Sequence, residues 1–247
     1  MNWVDYWNGK PTVYVCHRHQ EVHDFEIAYS VARHLPAGNC TALDFGCGDA
    51  TRAYFVASRC ETLYLWDAAE AVRVRLRQRY LDHSNIAVLD PAGLHALEPG
   101  SIDLVTVSSV VQYLAPYEIV EALQIFKKLL SPRGSLIVAD VIPPSVSVAH
   151  DAWQLLRFAR SEGFTFAAAC GLARTAASDY RSIRTKLNLR KYSELAFLDL
   201  LRVHGFAGRR LGRNFGHNQL RMAFQAHVAA PESGDSQRRE AEVEFAL

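Results

Sequence analysis

The pattern of apolar and polar positions changes its period repeatedly along the chain, and this predicts alternating strands and helices. Short apolar runs that end at a turn or at an acidic residue predict strands. The five strands predicted in this way cover about 40–45, 61–67, 85–89, 101–108 and 135–140. The helices predicted between them cover about 50–59, 69–81 and 116–130. Strands and helices that alternate over short links are typical of right-handed βαβ units in a parallel sheet.

The same pattern extends the sheet beyond these five strands. A helix at 22–35 precedes the first strand, and another at 192–204 follows a long insertion. Runs at 205–211 and 220–228 predict the last two strands, antiparallel to each other, whereas residues 94–100 are predicted as a loop. The predicted fold class is therefore α/β, with a doubly wound, mostly parallel seven-stranded sheet, an antiparallel last strand and a helical insertion after strand five.

The predicted elements divide the chain into three parts. Residues 1–36 are expected to form an N-terminal flap and helix, residues 37–230 the main domain, and residues 231–247 a polar, flexible tail. Within the main domain, an insertion at about 143–190 carries apolar and amphipathic segments, including a predicted helix at 151–160. We expect the insertion to cover a site at the edge of the sheet, with a dimer interface as the alternative.

Composition and charge argue against several classes of protein. Hydrophobic residues make up 49% and charged residues 21% of the 247 residues, which is ordinary for a globular protein. A formal net charge of +1 gives no support to nucleic-acid or membrane-surface binding. Five cysteines without a C-x-x-C pair argue against a disulfide framework and a structural zinc site, and favour a reducing, cytoplasmic compartment. No signal peptide is visible in the first residues.

The stretch 41–51 predicts a ligand-binding turn between a buried strand and a helix that begins near Asp49. Gly46 and Gly48 allow a tight turn and the close approach of a ligand to bare backbone. The third glycine of a dinucleotide-binding fingerprint is absent. Asp44 would also lie close to a pyrophosphate of the same charge. S-adenosylmethionine, which carries an ammonium and a sulfonium but no phosphate, suits this acid better.

Two motifs carry a resemblance to a known family. Residues 43–48, Leu-Asp-Phe-Gly-Cys-Gly, resemble the first motif of the class I S-adenosylmethionine-dependent methyltransferases. Residues 129–138 are similar to the family's LLxPGGxLxV motif, with Arg133 where glycine is usual. The resemblance covers about 40–140 closely and 192–228 more loosely. It implies an enzyme that binds S-adenosylmethionine at the carboxyl edge of its sheet.

The strand ends and the resemblance together predict which residues bind the cofactor. Asp67 ends the second strand about 20 residues beyond the glycine turn, where a carboxylate binds both ribose hydroxyls. In the family, an acid at the position of Asp90 reads the adenine amine. The family also places segment 109–114 beside the methionine end of the cofactor, so Gln112 and Tyr113 are pocket candidates. The predicted cofactor-binding residues are Asp44, Gly46, Cys47, Gly48, Asp67, Asp90 and Ser108.

The sequence leaves the catalytic residue open. Methyl transfer from a sulfonium is an in-line displacement, so the protein mainly has to align the nucleophile and exclude water. A base is needed only where the nucleophile must lose a proton. The candidates for such a role are His19, His150, His217 and Tyr113. No metal site is predicted, because the spacing of His19 and His23 on one helical turn fixes no third ligand.

The resemblance predicts a methyltransferase that acts on an O or N atom of a small, partly apolar molecule. The near-neutral charge predicts neither a nucleic-acid nor a membrane partner, and the oligomeric state stays open, with a homodimer as one option. Two alternatives remain at this stage. An NAD(P)-dependent oxidoreductase on a related fold would also use a glycine turn, but the sequence lacks a Tyr-x-x-x-Lys pair in the expected region. A non-catalytic cofactor-binding scaffold is the other.

Overall fold

The computed structural model describes residues 3–9, 13–177 and 189–230, and a seven-stranded sheet lies at its centre. The strands are β1 (Thr41–Phe45), β2 (Thr62–Trp66), β3 (Ile86–Leu89), β4 (Ile102–Ser108), β5 (Leu130–Val141), β6 (Phe206–Arg210) and β7 (Met222–Val228). Their order in the sheet is β3-β2-β1-β4-β5-β7-β6. Neighbours from β3 to β5 pair in parallel, and β7 is antiparallel to both β5 and β6. The predicted fold class is confirmed.

Helices connect the strands on both sides of the sheet. Those in the described residues are α1 (Trp3–Asn8), α2 (His17–Ala32), α3 (Ala53–Ala57), α4 (Glu70–Arg79), α5 (Pro91–Ala96), α6 (Pro116–Leu129), α7 (Val148–Glu162), α8 (Thr165–Ala177) and α9 (Glu194–Val203). None of these helices has the length and apolar character that crossing a bilayer requires.

The two faces of the sheet are covered by separate apolar clusters. Leu43 and Phe45 point to one face, where they pack with α6 residues such as Phe126. Ala42 points to the other face, in a cluster that includes α4 residues such as Leu76. Alternate residues of one strand therefore enter opposite cores, as a central strand with helices on both sides requires. The arrangement fixes the carboxyl ends of β1, β2, β4 and β5 at one edge of the sheet.

Three element boundaries differ from the predicted ones. The helix predicted from near Asp49 begins only at Ala53, because residues 49–52 form turns and Ala50 has a φ of +37°. The predicted loop at 94–100 is partly the helix α5, whose first turn is stabilised by a capping acid that the sequence pattern did not reveal. β5 begins at Leu130, five residues before its predicted start, with an irregular register against β4.

The insertion forms two helices that pack against each other and against α2. Phe158 and Ala159 of α7 meet Phe164 and Ala168, and Val22 of α2 packs against the same group. The helix predicted at 151–160 lies within α7. Residues 178–188 of the predicted insertion and the predicted tail fall outside the described residues. The role of the insertion as a cap stays a prediction.

Candidate functional site

The glycine turn, residues 46–48, follows β1 at the carboxyl edge of the sheet. Gly46 has a φ of +72°, and a Cβ there would lie 2.4 Å from Cγ2 of Val110, so another residue would strain the backbone and require Val110 or the turn to shift. Its N–H donates to the carbonyl oxygen of Trp66 at 2.7 Å, which ties the turn to β2. Gly48 has a φ of +57° and open space where a Cβ would point. The turn therefore has open, bare backbone at Gly48, and its contact with a ligand stays a prediction.

Asp67 lies directly beside the glycine turn. Its Oδ2 accepts a hydrogen bond from the N–H of Gly48 at 3.0 Å, and its Oδ1 accepts one from the N–H of Ala69 at 2.9 Å. The residue is buried, and burial raises the pKa of its carboxyl although both N–H bonds act in the opposite direction. Each carboxylate oxygen keeps a second lone pair, which a ribose hydroxyl can use. The structure thus places Asp67 at the turn, and its ribose contact stays a prediction.

Asp44 is a partly buried acid at the carboxyl edge of the sheet. Its Oδ1 accepts a hydrogen bond from Oγ1 of Thr106, its register partner on β4, at 3.1 Å. Burial raises the pKa of Asp44 to about 7; the Thr106 hydrogen bond lowers it, and the charge of Asp67 raises it further. None of these interactions involves a cation of the described chain. A cationic group of a ligand would therefore favour the charged carboxylate.

Two polar atoms near these strand ends are buried without a partner. They are Oγ of Ser108, at the end of β4, and Nε1 of Trp66, at the end of β2. Buried polar atoms almost always find a partner, so these two atoms are candidates for contact with a ligand at this edge. Ser108 belongs to the predicted set. Trp66 does not, because its position inside an apolar strand gave no signal of a polar role.

Two other predicted cofactor residues have local partners. Asp90 is exposed and caps α5, where its Oδ1 accepts a hydrogen bond from the N–H of Gly93 at 2.7 Å. Burial raises the pKa of the Cys47 thiol, with the charges of Asp44 and Asp67 adding to the effect, so this thiol is neutral. Both side chains lie beyond strand ends, as expected. Their contacts with a cofactor remain predictions.

A cavity of about 250 Å³ lies at the β4–β5 end of this edge. Its lining includes Gln112 and Tyr113, which follow β4, and Asp140, from the end of β5. Ser109 holds the two strand ends together, since its Oγ donates to Oδ2 of Asp140 at 2.6 Å. Ser109 and Asp140 have positive φ angles of +60° and +64°, and such strained backbone is typical of functional sites.

Three histidines, called here the histidine cluster, line one side of the cavity: His19 and His23 of α2, and His217 of the β6–β7 connection. Their ring centroids are 5.8 to 6.2 Å apart. His19 stacks on Phe164, and His217 stacks on Phe158. In the described part of the chain, no group of three or more His, Cys, Asp or Glu side chains is arranged to hold a metal ion.

The histidine cluster is neutral near pH 7. Burial, which is the largest cause, and the neighbouring His23 and His217 together lower the pKa of His19 to about 3. Burial also lowers the pKa of His217 to about 4, with His23 as the next cause. The pKa of His23 is lowered by burial as well. Neutral imidazoles can exchange hydrogen bonds with a bound molecule, but those with such low pKa values are weak bases.

Three charged side chains, called here the charged triad, line the cavity beside the histidine cluster: Asp140, Asp151 and Arg221. The Arg221 guanidinium lies 2.6 Å from Oδ2 of Asp140 and 3.2 Å from Oδ1 of Asp151. Asn218 donates to Oδ1 of Asp151 at 2.8 Å, and Asn214 donates to Oδ1 of Asp140 at 3.3 Å. The two carboxylates raise the pKa of Arg221 despite its burial, so it stays charged.

The structure brings three of the four catalytic candidates to one place. His19, His217 and Tyr113 line the cavity although they are far apart in sequence. His150 does not line it: the residue is exposed, and its Nδ1 accepts a hydrogen bond from the N–H of Ser147 at the start of α7. Sequence reasoning missed the charged triad. Only Asp140, at the end of a predicted strand, gave a signal that could have identified it.

The N-terminal residues lie across the same edge. Trp7 meets Tyr113 edge to face at 6.0 Å, and Oδ1 of Asn8 accepts a hydrogen bond from the N–H of Ala71 at the start of α4. In α2, Asp24 accepts hydrogen bonds from Tyr14 at 3.1 Å and from Thr51, just beyond the glycine turn, at 2.5 Å. Helices α1 and α2 therefore connect the surroundings of the glycine turn to the cavity, where a flap was predicted.

Comparisons with known proteins agree with this geometry. Residues 43–136 match a family model described as a methyltransferase domain. No curated protein matches the sequence. Among solved structures, DhpI in complex with SAH is 8% identical, with 92% of this chain and 96% of that chain covered and a TM-score of 0.59.

Two further structures have the same fold. A SAM-dependent methyltransferase of Leishmania major is 16% identical, with coverage of 90% of this chain and 80% of that chain and a TM-score of 0.56. Mitomycin 7-O-methyltransferase MmcR is also 16% identical, with coverage of 84% of this chain and 54% of that chain and a TM-score of 0.56. Identities this low establish the fold alone, so the class of enzyme rests on the family model.

The fold and the family match define the class of the domain. Residues 43–136 carry a methyltransferase domain, and the fold is the class I, Rossmann-like one that solved S-adenosylmethionine-dependent methyltransferases have. The residues at the edge fit this cofactor. The ammonium of the cofactor would be a positive counter-charge for the Asp44 carboxylate and would donate a hydrogen bond to Oγ of Ser108. The open backbone at Gly48 would leave room for the adenosyl part of the cofactor.

Proposed function

We propose that the protein transfers a methyl group from S-adenosylmethionine to an O or N atom of a small, partly apolar molecule held in the cavity. The observation that carries this proposal is the position of the cavity. It adjoins the strand ends that follow the glycine turn, and it combines aromatic walls with charged and polar groups. A site of this composition and size suits a small organic molecule.

The residues of the edge have distinct roles in this proposal. Asp44 and Ser108 bind the ammonium end of the cofactor, and Asp67 binds the ribose hydroxyls. Asp90 reads the adenine amine from the exposed end of β3. When bound, the cofactor supplies an electrophilic methyl group and a neutral leaving group. The chain itself has to hold the acceptor in line and keep water out.

Tyr113 and the N-terminal helices contribute to alignment and to the exclusion of water. Tyr113 follows β4, lines the cavity and contacts Trp7 of α1. A nucleophile held beside Tyr113 would therefore lie under α1, away from solvent. The low pKa values of His19 and His217 make them hydrogen-bond acceptors rather than strong bases. This favours an acceptor that needs little help in losing its proton.

We further infer a cytoplasmic location and an acceptor other than nucleic acid. The described cysteines are all free thiols, which is usual in a reducing compartment. The net charge of +1 provides no electrostatic basis for binding a polyanion.

Calorimetric titration with S-adenosylmethionine, S-adenosylhomocysteine and NAD tests the cofactor assignment. We expect both adenosyl ligands to bind with micromolar affinity and NAD to show none. Asp67→Ala should abolish this binding, whereas Asp199→Ala, at an exposed acid on α9, should leave it unchanged. Methyl transfer is then sought with methyl-labelled cofactor and a panel of phenols, alcohols and amines. Binding of NAD alone, or of no ligand, would contradict the proposal.

A further inference from the structure

The outer face of α2 carries exposed aromatic rings that contact one another. Phe25 and Tyr29 of α2 are each 47% exposed. Their rings stack at a centroid distance of 6.2 Å, and the ring of Phe25 also meets that of Phe55 in α3 at 5.5 Å. These three side chains, called here the aromatic patch, form continuous surface rather than scattered single residues. Continuous exposed apolar surface is typical of an interaction site.

The packing of α2 against its own chain does not account for the aromatic patch. Ala28 and Val31 of the same helix are buried in the core on one face of the sheet. A helix that covers one face of a sheet needs only one apolar stripe. Phe25 and Tyr29 lie one helical turn apart and form a second stripe, on the solvent side. This second stripe indicates that the outer face of α2 has a partner.

Charged residues extend the second stripe at both ends in a self-complementary order. Steps of four residues place Glu21, Phe25, Tyr29 and Arg33 along one ridge of the helix. The acid lies one turn before the first ring, and the arginine lies one turn after the second. If a second copy of α2 crosses this ridge in the antiparallel sense, Glu21 faces Arg33 of that copy and Phe25 faces Tyr29. Every contact then occurs twice, as in an isologous twofold interface.

The charged ends of the ridge are accessible for such contacts. The Glu21 carboxylate lies 3.9 Å from Nη2 of Arg52 and 3.7 Å from Nδ1 of His17, and both distances are longer than a hydrogen bond. Its side chain is 37% exposed. Arg33 is exposed, and its guanidinium lies 5.9 Å from the centre of the Tyr29 ring. A formal net charge of +1 also means that two copies of the chain repel each other little.

We propose that α2 is the interface of a homodimer, in which two copies pack antiparallel across the ridge from Glu21 to Arg33. Ridges made by steps of four residues pack against each other at about −50°, the commonest helix crossing. The aromatic patch forms the apolar centre, and the two Glu21–Arg33 pairs lie at the rim, where they fix the orientation. These side chains are fewer than the roughly 20–30 residues per partner of a standard interface, so we expect a dissociation constant of about 10–100 µM.

The proposed interface belongs to the helix that connects the two parts of the candidate site. His19 and His23 of α2 line the cavity, and Asp24 accepts the hydrogen bond from Thr51 beyond the glycine turn. A dimer through α2 would therefore hold this helix in place in both copies. The inference goes beyond the proposed function and does not require methyl transfer, because association is measured without any ligand.

Sedimentation equilibrium of the full chain at about 5–500 µM tests the proposal. We expect a reversible monomer–dimer equilibrium. Phe25→Glu should raise the dissociation constant at least about a hundredfold, because it places two acids in the apolar centre. Phe166→Glu is the matched control, since Phe166 of α8 is 84% exposed and lies outside the patch, and it should leave the dissociation constant unchanged. A chain that stays monomeric over this range, or equal effects of the two variants, would overturn the proposal.

Exchange of the charges tests the antiparallel arrangement without changing the rings. Glu21→Arg and Arg33→Glu should each weaken the homodimer about tenfold, because each places like charges opposite each other twice. In an equimolar mixture of the two variants, both pairs have opposite signs again, so a heterodimer should form with about the affinity of the unmodified protein. Far-UV circular dichroism checks that each variant is folded. Failure of the mixture to recover association would overturn this interface, and if Phe25→Glu does not fold, the mixture decides.

Discussion

The glycine turn and the cavity lie at the same edge of the sheet but are built in different ways. The groups around the turn come from short, local stretches of the chain, such as Asp44 to Gly48 and Asp67. The cavity combines α2, the start of α7 and the β6–β7 connection, which come from three distant parts of the sequence. Under the proposed function, the cofactor is bound through local backbone geometry, whereas the acceptor site depends on the tertiary packing of this chain.

The largest expected effect lies in the cavity, at Arg221. Arg221→Met would remove the guanidinium that lies 2.6 Å from Asp140 and 3.2 Å from Asp151, which should lower the free energy of unfolding by about 3–5 kcal/mol. Urea unfolding of both proteins at pH 7.5 measures this.

Arg202→Met is the control for that experiment. Arg202 pairs with Asp199 on the exposed face of α9, and its side chain is 73% exposed. We expect a change in unfolding free energy of about 0.5 kcal/mol or less, as for most surface ion pairs. Equal losses in the two variants would mean that the charged triad is not a stabilising feature of the cavity.

At the glycine turn, the strongest expected effect comes from Gly46→Ala. The new Cβ would lie 2.4 Å from Val110, and the alanine would have to adopt a φ of +72°. The free energy of unfolding should therefore fall by about 2–4 kcal/mol. Gly38→Ala is a matched control, since Gly38 has a φ of +90° but nothing within 4 Å of its Cβ. It should lose only about 1 kcal/mol. Similar losses would show that the steric contact with Val110 is unimportant.

The variant Asp44→Asn tests the edge beside the glycine turn, because the stability that Asp44 contributes depends on pH. The folded protein keeps the Asp44 proton up to about pH 7, whereas the unfolded chain releases it near pH 4, so folding takes up a proton between these values. The contribution of Asp44 to stability therefore becomes less favourable as the pH rises from 4 to 7. Asp44→Asn should be more stable than the unmodified protein at pH 8, by about 2 kcal/mol, and similar to it at pH 4.

The same variant should bind S-adenosylhomocysteine about tenfold less tightly at pH 7.5, because the amide cannot pair with an ammonium. Unfolding curves at pH 4, 6 and 8 and one titration at pH 7.5 are sufficient. A variant that gains stability and keeps full affinity would separate Asp44 from the cofactor. A variant whose stability follows the pH dependence of the unmodified protein would show that Asp44 ionises normally.

Sequence reasoning reached the fold and the glycine turn for physical reasons. Buried parallel strands are continuous apolar runs, and Gly46 and Asp67 stand at fixed places relative to them. The short helix α5 was missed because its stability comes from a cap by Asp90 rather than from an apolar stripe. The charged triad was missed because nothing in a one-dimensional pattern pairs Asp151 with Arg221. Such pairs form only once the fold brings α7 to the end of the β6–β7 connection.

A smaller effect is expected at the contact between Thr51, just beyond the glycine turn, and α2, which also lines the cavity. Thr51→Val removes the hydroxyl that donates to Asp24, and Asp24 keeps only its hydrogen bond from Tyr14 among those described. The loss of one partly buried hydrogen bond to a carboxylate should cost about 1–2 kcal/mol of unfolding free energy. If α2 and the glycine turn act together, cofactor affinity should also fall several-fold. Loss of stability with full affinity would limit this contact to a structural role.

The smallest effect is expected at His150, the catalytic candidate that the structure places outside the cavity. Its imidazole accepts a hydrogen bond from the N–H of Ser147 and so helps to cap α7. His150→Ala should lower the unfolding free energy by about 0.5–1 kcal/mol, as the loss of a weak cap does, and leave methyl transfer unchanged. His217→Ala, in the cavity, is expected to reduce methyl transfer at least tenfold. A loss of turnover in His150→Ala as large as that in His217→Ala would bring His150 back into the site.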